Sequence, residues 1–494
     1  MDARRTLLIG ACLIVVALAA ARDADPSAAA PPVTFHCTLD ATCPAIVVAG
    51  DPFATIGPGP APFRGYGDPE LEYDPSTGTL WLTYSWLDIL INDPGPPPVL
   101  DFGVRTHLAR SDDNGATWTF VGSLNETTPI THPDSGADGW TIHEVSALLR
   151  EPSGSWQALW LTYFELLGET GVEDRSDFYY AQTLGATPGD LGSTTTPWIR
   201  GLGTSASFGA AHNLSLVPEL TDCVAFTEPA LLAHGGETYL STNCAVFDES
   251  GRRDDLERLV LFREETAGYS YVGDLLTYDD AVDLGATRIE QADIFYGRDG
   301  SVLLIATPIV TDGVPEHLGC VVFEITDIAA AEVGRDATGN AVQLAWITAD
   351  DPILGPGACT YNPDSDTGVL MHVHDYTPDP FDMEFTVRAT GVHPTSDNDN
   401  DGWSDVDETA IGTLRAVACA ATAAPQDEDP DAWPVDTDDN QFINVFDVVP
   451  FIPALSSVAP GPPYTVRLDL NTNGEINVFD VVPFIPLLNT QCSP

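Results

Sequence analysis

Two stretches near the end of the chain carry oxygen-bearing side chains at the spacing that calcium-binding loops use. Such loops supply ligands from positions 1, 3, 5, 9 and 12 and from the carbonyl at position 7, with glycine preferred at position 6. The second stretch places these oxygens at Asp469, Asn471, Asn473, Asn477 and Asp480, with Gly474 sixth. The first stretch places them at Asp436, Asp438, Asn440, Asn444 and Asp447, with Gln441 sixth. The pattern predicts two calcium sites, of which the first is somewhat weaker because it lacks the glycine.

A third acidic stretch precedes these two loops. Its candidate ligands, again at positions 1, 3, 5, 9 and 12, are Asp397, Asp399, Asp401, Asp405 and Glu408, and Gly402 is sixth. The stretch resembles the calcium repeats of thrombospondin type 3 and related bacterial proteins. The alternative interpretation is an acidic, solvated linker.

Four carboxylic residues earlier in the chain are candidates for acid and base chemistry. Asp68, Glu144 and Glu290 each lie ten residues before a glycine that is predicted to make a hairpin turn, and Glu228 lies eight residues before its own. If each residue starts the innermost strand of a repeated unit, the four side chains converge. Carboxyls that lie close together have separated pKa values, so that one can act as an acid and another as a base. The alternative is a set of structural, hydrogen-bonded carboxylates or a central metal site.

The region that must position these carboxylates has the residue pattern of an all-β domain. From about residue 45 to residue 393, short runs of Val, Leu, Tyr, Trp and Phe are bounded by Gly, Asp, Pro and Asn, with no long helical period. Five units of strand, hairpin and strand turn at Gly78, Gly154, Gly236, Gly300 and Gly368. Most units are followed by a third apolar run. The pattern predicts a five-bladed β-propeller, with six blades or a β-sandwich as the alternatives.

A short motif in the first unit also indicates a propeller. Ser111-Asp-Asp-Asn-Gly-Ala-Thr-Trp118 matches the Asp-box of sialidases and many other propellers. The resemblance implies a structural role, in which Asp and Gly close a hairpin and Trp packs between blades. A sialidase also needs an arginine triad, and the arginines of this chain do not stand in recognisable triad contexts.

The motifs around three of the carboxylates resemble those of five-bladed glycoside hydrolases of the arabinofuranosidase and xylosidase kind. They are Gly67-Asp68-Pro69, His143-Glu144-Val145 and Thr227-Glu228-Pro229. The resemblance implies that Asp68 is the general base, that Glu228 is the general acid, and that Glu144 orients the site and modulates a pKa. We expect Glu144 to hold the pKa of the acid Glu228 up by like-charge repulsion. The chain departs from the family at the middle position, which is Glu rather than Asp, and after the acid, where the common Gly is absent.

The tail contains a duplication that resembles dockerin modules. Residues 443–453 recur letter for letter as residues 476–486, and both loops have Asn at position 9 and end on Asp. The resemblance covers about 60 residues and implies calcium as the cofactor and a cohesin-like partner. However, prolines interrupt the segments after the loops, and the positions that contact cohesin in dockerins are the apolar pairs Val445-Phe446 and Val478-Phe479. A calcium-stabilised end module without a cohesin partner is therefore the alternative.

The first residues and the cysteines predict an exported protein. Arg4 and Arg5 precede an apolar run from Leu7 to Ala20 and a small-residue cleavage site, as in a secretory signal peptide; a lipoprotein signal at Cys12 is the alternative. The remaining eight of the nine cysteines are expected to form disulfides. Their spacing suggests that neighbours pair, although other pairings remain open: Cys37 with Cys43, Cys223 with Cys244, Cys320 with Cys359, and Cys419 with Cys492.

The net charge of the chain argues against two classes of binding partner. The net charge is −55 and all 19 basic residues are Arg, which argues against nucleic acid and anionic membranes. No later run is apolar for long enough to predict a membrane span. The predicted partners are an extracellular glycan and a cohesin-like or cell-surface protein.

These observations predict the following segments: a signal peptide (1–21), a disordered lead-in (22–44), the β-propeller (45–393), an acidic calcium-loop linker (394–434) and a dockerin-like module (435–494). The leading interpretation is a secreted carbohydrate-active propeller that hydrolyses glycosidic bonds of extracellular glycans. The alternative is a non-catalytic propeller that binds glycan or protein and is displayed or assembled through the tail.

Overall fold

The structure is a computed structural model, and most of its described residues lie in β-strands. It describes residues 33–37, 42–51, 63–93, 99–102, 104–127, 129–131, 136, 138–168, 171–193, 198–200, 210–213, 218–223, 225–248, 251–265, 268–298, 300–312, 314–336, 338–349, 355–374, 383–394, 403, 408, 411–414, 417–425, 431–459, 462–470 and 475–492. The predicted signal peptide and residues 22–32 of the lead-in lie outside these ranges. The chain divides into two compact units, a larger one of His36–Gly334 and Ile347–His393, and a smaller one of Met1–Phe35, Arg335–Trp346 and Pro394–Pro494.

Within the described residues, the larger unit contains five meanders of mainly antiparallel strands. The first meander contains β3 (Phe63–Asp74), β4 (Thr79–Asp93), β6 (Arg105–Ser111) and β7 (Trp118–Ser123), with β2 (Val48–Ala49) and β5 (Val99–Phe102) at its edges. The second contains β9 (Asp138–Arg150), β10 (Trp156–Gly168), β11 (Gly171–Gly185) and β12 (Trp198–Arg200), with β8 (Pro129–Thr131) and β13 (Ala210–Asn213). The third contains β14 (Ala225–His234), β15 (Glu237–Ala245), β18 (Arg258–Glu265) and β19 (Gly268–Leu276).

The fourth meander is followed by a shorter fifth one. The fourth contains β20 (Arg288–Tyr296), β21 (Val302–Asp312) and β23 (Cys320–Asp327), with β22 (Val314–His317) and β24 (Glu332–Val333). The fifth contains β26 (Gly357–Thr360), β27 (Leu370–His374) and β28 (Met383–Ala389). The remaining elements near this region are β1 (Val33–Cys37), the hairpin of β16 (Phe247–Asp248) and β17 (Gly251–Arg252), helix α1 (Tyr278–Asp283) and β25 (Gln343–Ala349). Short 3-10 turns lie at Pro188–Ser193, Pro218–Leu220, Asp254–Leu256 and Ile328–Ala330.

The first strands of the five meanders contact one another in a closed cycle. Strand β3 contacts β9, β9 contacts β14, β14 contacts β20, β20 contacts β26, and β26 contacts β3. Parallel pairing of Met383–Phe385 with Phe63–Gly65 also joins the last meander to the first. This ring of first strands places positions that are far apart in the chain around one axis. The predicted all-β architecture is confirmed, as are the five hairpins and their third strands.

Apolar packing between the meanders explains why these strands are so strongly apolar. Leu80, Leu82 and Tyr84 of β4 are almost fully buried, and so are Leu159 of β10 and Leu240 of β15. Strand β15 is buried at every position after the first. Each fully buried Leu contributes about 1.5–3 kcal/mol relative to its exposed state. Strands that are covered on both faces lose the polar alternation of a solvated sheet.

The Asp-box closes the hairpin between β6 and β7, as the motif predicts. Asp113 accepts hydrogen bonds from the Thr117 amide (2.8 Å) and the Thr117 hydroxyl (2.7 Å). Gly115 has a φ of +91°, and an added Cβ there would lie 2.3 Å from Thr367 Cγ2. Trp118 is 2% exposed in the apolar core. The motif therefore stabilises the fold.

All four predicted disulfides are present. They join Cys37 to Cys43, Cys223 to Cys244, Cys320 to Cys359, and Cys419 to Cys492. The pairing of neighbours is thereby confirmed.

The smaller unit has short elements around its own core. They are α2 (Val445–Val448), α3 (Phe451–Ala454), α4 (Phe484–Leu487), β29 (Ser457–Val458) and β30 (Glu475–Ile476), with 3-10 turns at Val466–Leu468 and Val478–Asp480. The duplicated residues Phe451 and Phe484 pack edge to face, with ring centroids 5.4 Å apart. The prolines after each loop limit the helices to four residues, as expected. None of the described helices has the length and apolar character needed to cross a bilayer.

Candidate functional site

Each first strand of the ring contains a bulge at which one residue has a left-handed backbone. These residues are Asp68, Val145, Glu228, Gln291 and Ala358, with φ values between 43° and 57°. The strand register shifts next to each of them. The left-handed conformation costs about 1–2 kcal/mol in a non-glycine residue. Its fivefold repetition shows which positions of the five strands are equivalent.

This equivalence corrects the spacing argument for the four carboxylates. Asp68 and Glu228 occupy the bulge position itself, whereas Glu144 and Glu290 lie one residue before it. Counting back from each turn glycine did not identify the equivalent positions of the four carboxylates, because the hairpins differ in length. Asp68 and Glu144 also lie in the middle of their strands rather than at the start.

Glu290 is a buried carboxylate that is held ionised by two arginines. Arg252 Nη2 lies 2.5 Å from Glu290 Oε2, and Arg288 Nη2 lies 3.2 Å from Glu290 Oε1. Burial opposes ionisation, but the charges of Arg252 and Arg288 hold the pKa of Glu290 below its usual range. Arg252 is itself fixed by Glu257, whose Oε2 lies 2.7 Å from Arg252 Nη2.

Glu228 has the opposite protonation preference. Burial and the negative charges of Glu290 and Asp68 raise the pKa of Glu228 well above its usual range, although the Gln291 amide, which donates a hydrogen bond to Glu228 Oε2, lowers it. Glu228 is therefore the carboxyl that stays protonated while Glu290 beside it stays charged. Glu144, the expected modulator of this acid, is not among the principal groups that raise its pKa.

Glu144 acts instead on Asp68. Burial and the charge of Glu144 raise the pKa of Asp68 to about 7, against a lowering hydrogen bond from the Ser85 side chain. The Ser85 hydroxyl also accepts a 2.8 Å hydrogen bond from the Val145 amide. Ser85 therefore links β9, the first strand of the second meander, to Asp68. The structure thus brings Asp68, Glu144, Glu228 and Glu290 into one electrostatic cluster.

Two cavities lie along the ring axis. The smaller one, about 30 Å³, lies between the five bulges, and both Asp68 and Glu228 line it. The larger one, about 270 Å³, lies towards the hairpin turns and is lined by Glu70, Glu72 and Asp293. We refer to them as the bulge cavity and the turn cavity.

Sequence analysis did not identify the arginines of the site, nor Glu70 and Glu72 of the turn cavity. Arg288 and Glu290 are two residues apart on β20, and so are Glu70 and Glu72 on β3. This is the spacing at which strand side chains share a face. That signal exists in the sequence, but it becomes informative only when the inward face of the strand is known.

The first tail loop brings three predicted ligands together. Carboxylate oxygens of Asp436, Asp438 and Asp447 all lie within 4.8 Å of one another. Amides of the loop fix two of them: Gln441 donates to Asp436 (2.6 Å), and Asn444 donates to Asp447 (2.8 Å). Gln441, at the glycine position, has a φ of 64°. This all-oxygen set fits calcium.

The two amide side chains of that loop are engaged locally. Asn440 Oδ1 accepts from the Phe442 amide (2.9 Å), and Asn444 Oδ1 accepts from the Phe446 amide (2.8 Å). The ligand set that the geometry brings together is therefore the three aspartates.

Less of the other two loops is described. In the second loop, Asp469 and Asp480 are buried, and Asp480 accepts from the Asn477 amide at 2.7 Å. The predicted ligands Asn471 and Asn473 lie outside the described residues. In the third loop, Glu408 is fully buried, whereas Asp397, Asp399, Asp401 and Asp405 lie outside the described residues.

Comparisons with known proteins give only distant similarities. No protein-family model matches the chain, and no curated protein matches it. A family 117 glycoside hydrolase from the marine bacterium Zobellia galactanivorans has 10% identity and a TM-score of 0.38, over 70% of this chain and 88% of that one. An α-L-arabinofuranosidase from Lactobacillus brevis has 12% identity and a TM-score of 0.38, over 68% and 92%. An α-L-arabinanase from Cellvibrio cellulosa has 15% identity and a TM-score of 0.37, over 65% and 90%.

Proposed function

We propose that the chain is a secreted, carbohydrate-active five-bladed propeller that hydrolyses glycosidic bonds of extracellular glycans, with a calcium-binding, dockerin-like tail. The closed cycle of five first strands supports the propeller. The tail assignment is supported by the three aspartates that lie within 4.8 Å of one another in a duplicated module.

The observation that carries the enzymatic proposal is the division of protonation states in the carboxylate cluster. Glu290 is held ionised by Arg252 and Arg288, while burial and the charges of Glu290 and Asp68 raise the pKa of Glu228 and keep it protonated. When a buried, protonated carboxyl lies beside ionised carboxylates, the protonated group can act as a general acid and an ionised one as a general base.

In the proposed reaction Glu228 donates its proton to the glycosidic oxygen as the bond from that oxygen to the anomeric carbon breaks. Asp68 accepts a proton from the water that forms the new bond to the anomeric carbon. The two transfers balance, and both carboxyls return to their starting states by proton exchange with solvent. Burial and the charge of Glu144 raise the pKa of Asp68, and burial and the charge of Glu290 raise the pKa of Glu228. The left-handed bulges aim Asp68 and Glu228 into one cavity.

Hydrolysis of a panel of arabinans, xylans and other plant and algal glycans tests the proposal. We expect reducing ends or free monosaccharides to be released, and we expect the Glu228→Gln variant to release far fewer. If the wild-type protein cleaves none of the glycans, the enzymatic proposal is wrong.

One observation favours the alternative of a binding module. The bulge cavity is only about 30 Å³ within the described residues, which is room for about one or two water molecules rather than a sugar ring. A propeller that binds glycan or protein without cleaving it would retain glycan in a pull-down assay and leave its chain length unchanged. In that case the tail would display or assemble the propeller on a cohesin-like or cell-surface protein.

The tail has a surface suited to such a partner. Val445 and Phe446, which follow the first loop, are 62% and 66% exposed. An exposed apolar pair on a small module is typical of a protein-binding site. Binding of the purified chain to cohesin domains, with and without calcium, tests this part of the proposal.

A further inference from the structure

The short hairpin of β16 and β17 presents an aromatic ring and an arginine on the same face. The two strands pair antiparallel, and Phe247 lies directly opposite Arg252. Side chains of directly opposite residues project from the same face of such a pair, with Cβ atoms about 4.5–5.5 Å apart. Phe247 is 43% exposed, and the Arg252 side chain is 30% exposed. We refer to Phe247 and Arg252 as the hairpin pair.

The hairpin pair lies beside the proposed general acid. Strand β15 ends at the residue that pairs with the first residue of β14, so the hairpin that follows β15 lies at the end of the ring where β14 begins. Glu228 is the fourth residue of β14. Arg252 also reaches Glu290 on the neighbouring first strand, and the charges of both residues act on Glu228.

The guanidinium of Arg252 is held in place with one nitrogen left over. Glu257 accepts hydrogen bonds from Nε and Nη2, and Glu290 accepts one from Nη2. Nη1 has no hydrogen-bond partner among the residues that the structure describes. Because its neighbours already fix the guanidinium, Nη1 can donate to an incoming oxygen with little further loss of side-chain freedom.

We propose that the hairpin pair is a sugar-binding subsite on the leaving-group side of the scissile bond. An aromatic ring packs against the C–H groups of a sugar, and a guanidinium donates to its hydroxyl oxygens; ligand sites combine apolar surface with a few placed polar groups in this way. A general acid protonates the oxygen that departs with the leaving group, so a sugar held beside Glu228 and outside the ring axis is the leaving-group sugar. The inference rests on the proposed glycan-directed function.

The charges around Arg252 favour a neutral sugar. Carboxylates of Glu257 and Glu290 both lie within hydrogen-bonding distance of the guanidinium, so its positive charge is already offset. The carboxylate of a uronic acid would add further negative charge to this group, and like charges repel. A hydroxyl oxygen accepts from Nη1 without adding charge.

Two kinds of substrate, compared with the Phe247→Ala variant, test the subsite. They are an arabino- or xylo-oligosaccharide that the wild-type protein cleaves and a 4-nitrophenyl glycoside of the same sugar, which has no sugar on the leaving-group side. Phe247→Ala is expected to lower kcat/KM for the oligosaccharide at least about tenfold, because the contact with the ring is lost. Its kcat/KM for the nitrophenyl glycoside should be unchanged.

Two further variants are the controls for Phe247→Ala. Phe247→Tyr keeps the aromatic ring and should retain the wild-type kcat/KM for the oligosaccharide. Val121→Ala, which shortens an exposed apolar side chain on β7, is the matched control and should behave as the wild-type protein does with both substrates. Equal losses of kcat/KM on both substrates in Phe247→Ala would overturn the subsite.

Arg252→Lys tests the other member of the pair. Lysine keeps a positive charge beside Glu290 but cannot reproduce the planar guanidinium. We expect kcat/KM for the oligosaccharide to fall at least about fivefold, whereas the pH dependence of kcat/KM for the nitrophenyl glycoside stays the same. Equal losses on both substrates together with a shifted pH profile would show that Arg252 acts only through Glu290, and would remove it from the subsite.

Binding measurements separate failure of this inference from failure of the proposed function. In calorimetric titrations of the same oligosaccharides, Phe247→Ala is expected to weaken binding at least about tenfold, and an excess of oligogalacturonide should not compete. If the wild-type protein binds the oligosaccharides but cleaves none, weaker binding by Phe247→Ala still supports the subsite although the enzymatic proposal is wrong. Equal affinities, or no binding by the wild-type protein, would overturn the subsite, and displacement by oligogalacturonide would overturn its preference for a neutral sugar.

Discussion

Arg252 donates a 2.5 Å hydrogen bond from Nη2 to Glu290 Oε2, joining the short hairpin β16–β17 to the first strand of the fourth meander. Since Glu290 raises the pKa of Glu228, this ion pair connects a residue outside the ring to the proposed general acid.

Neutralising Glu290 should change the pH dependence of the reaction. In Glu290→Gln the negative charge beside Glu228 is absent, so the pKa of Glu228 falls and the alkaline limb of the kcat/KM profile moves to lower pH. The profile is measured on a cleaved glycan. An unchanged alkaline limb would show that Glu290 does not act on the group that limits the rate at high pH.

Neutralising Glu144 should move the acidic limb of the kcat/KM profile. The charge of Glu144 helps to raise the pKa of Asp68 to about 7, so activity needs a pH near or above 7 for Asp68 to act as a base. In Glu144→Gln the pKa of Asp68 falls, and the acidic limb moves to lower pH. If the limb instead moves upward or stays in place, Asp68 is not the base.

Removing the proposed acid or base should abolish most activity. Glu228→Gln and Asp68→Asn are each expected to lower kcat by at least about a hundredfold, the usual contribution of a general acid or base. Glu237→Gln, at an exposed position one strand away, is the control and should retain the wild-type rate. Wild-type rates in both site variants would reassign these carboxyls to a structural role.

Stability without metal should fall as the pH rises towards 8. Burial is the main cause that raises the pKa of Glu72 from 4.5 to about 8, and of Asp68 from 3.8 to about 7. An acid whose pKa is higher in the folded state than in the unfolded state stabilises the fold while it is protonated. Its contribution is complete below pH about 4 and is lost as the pH passes through 7 and 8.

Urea unfolding in EDTA at several pH values measures this loss. The free energy of unfolding of Glu72→Gln is expected to fall less steeply with pH than that of the wild-type protein, whereas Glu237→Gln should follow the wild-type curve. Identical slopes for all three proteins would contradict the raised pKa of Glu72.

Calcium should protect the tail from proteolysis. The carboxylates of Asp436, Asp438 and Asp447 repel one another unless a cation offsets their charge. Limited proteolysis of the full chain is expected to cut within residues 394–494 faster in EDTA than in calcium. Asp469→Ala and Asp480→Ala should weaken the protection more than Asp436→Ala, because the second loop keeps Gly474. Equal cleavage with and without calcium would reject the tail sites.

The disulfide between Cys419 and Cys492 should contribute strongly to the stability of the tail. It closes a loop of 73 residues, for which loop entropy predicts about 4 kcal/mol. The Cys419→Ser, Cys492→Ser double variant is therefore expected to unfold its tail at lower urea concentration. Retention of the wild-type midpoint would show that the cross-link restricts little of the unfolded chain.

The sequence predicted the features that depend on residues close together in the chain. Hairpins follow from apolar runs around glycine, and the Asp-box closes its turn with residues four apart, Asp113 and Thr117. The disulfides join neighbouring cysteines in the sequence. The oxygen spacing that suggests calcium is local for the same reason.

The tertiary structure alone decided the electrostatic roles. Glu290 lies 62 residues from Glu228 along the chain, and Arg252 reaches it from a separate hairpin. The sequence assigned the modulation of Glu228 to Glu144, since the spacing from turn glycines cannot reveal the bulges that set the true equivalence. Charges act through space over a few ångströms, so which carboxylate raises the pKa of which other one is determined only when the five strands close into a ring.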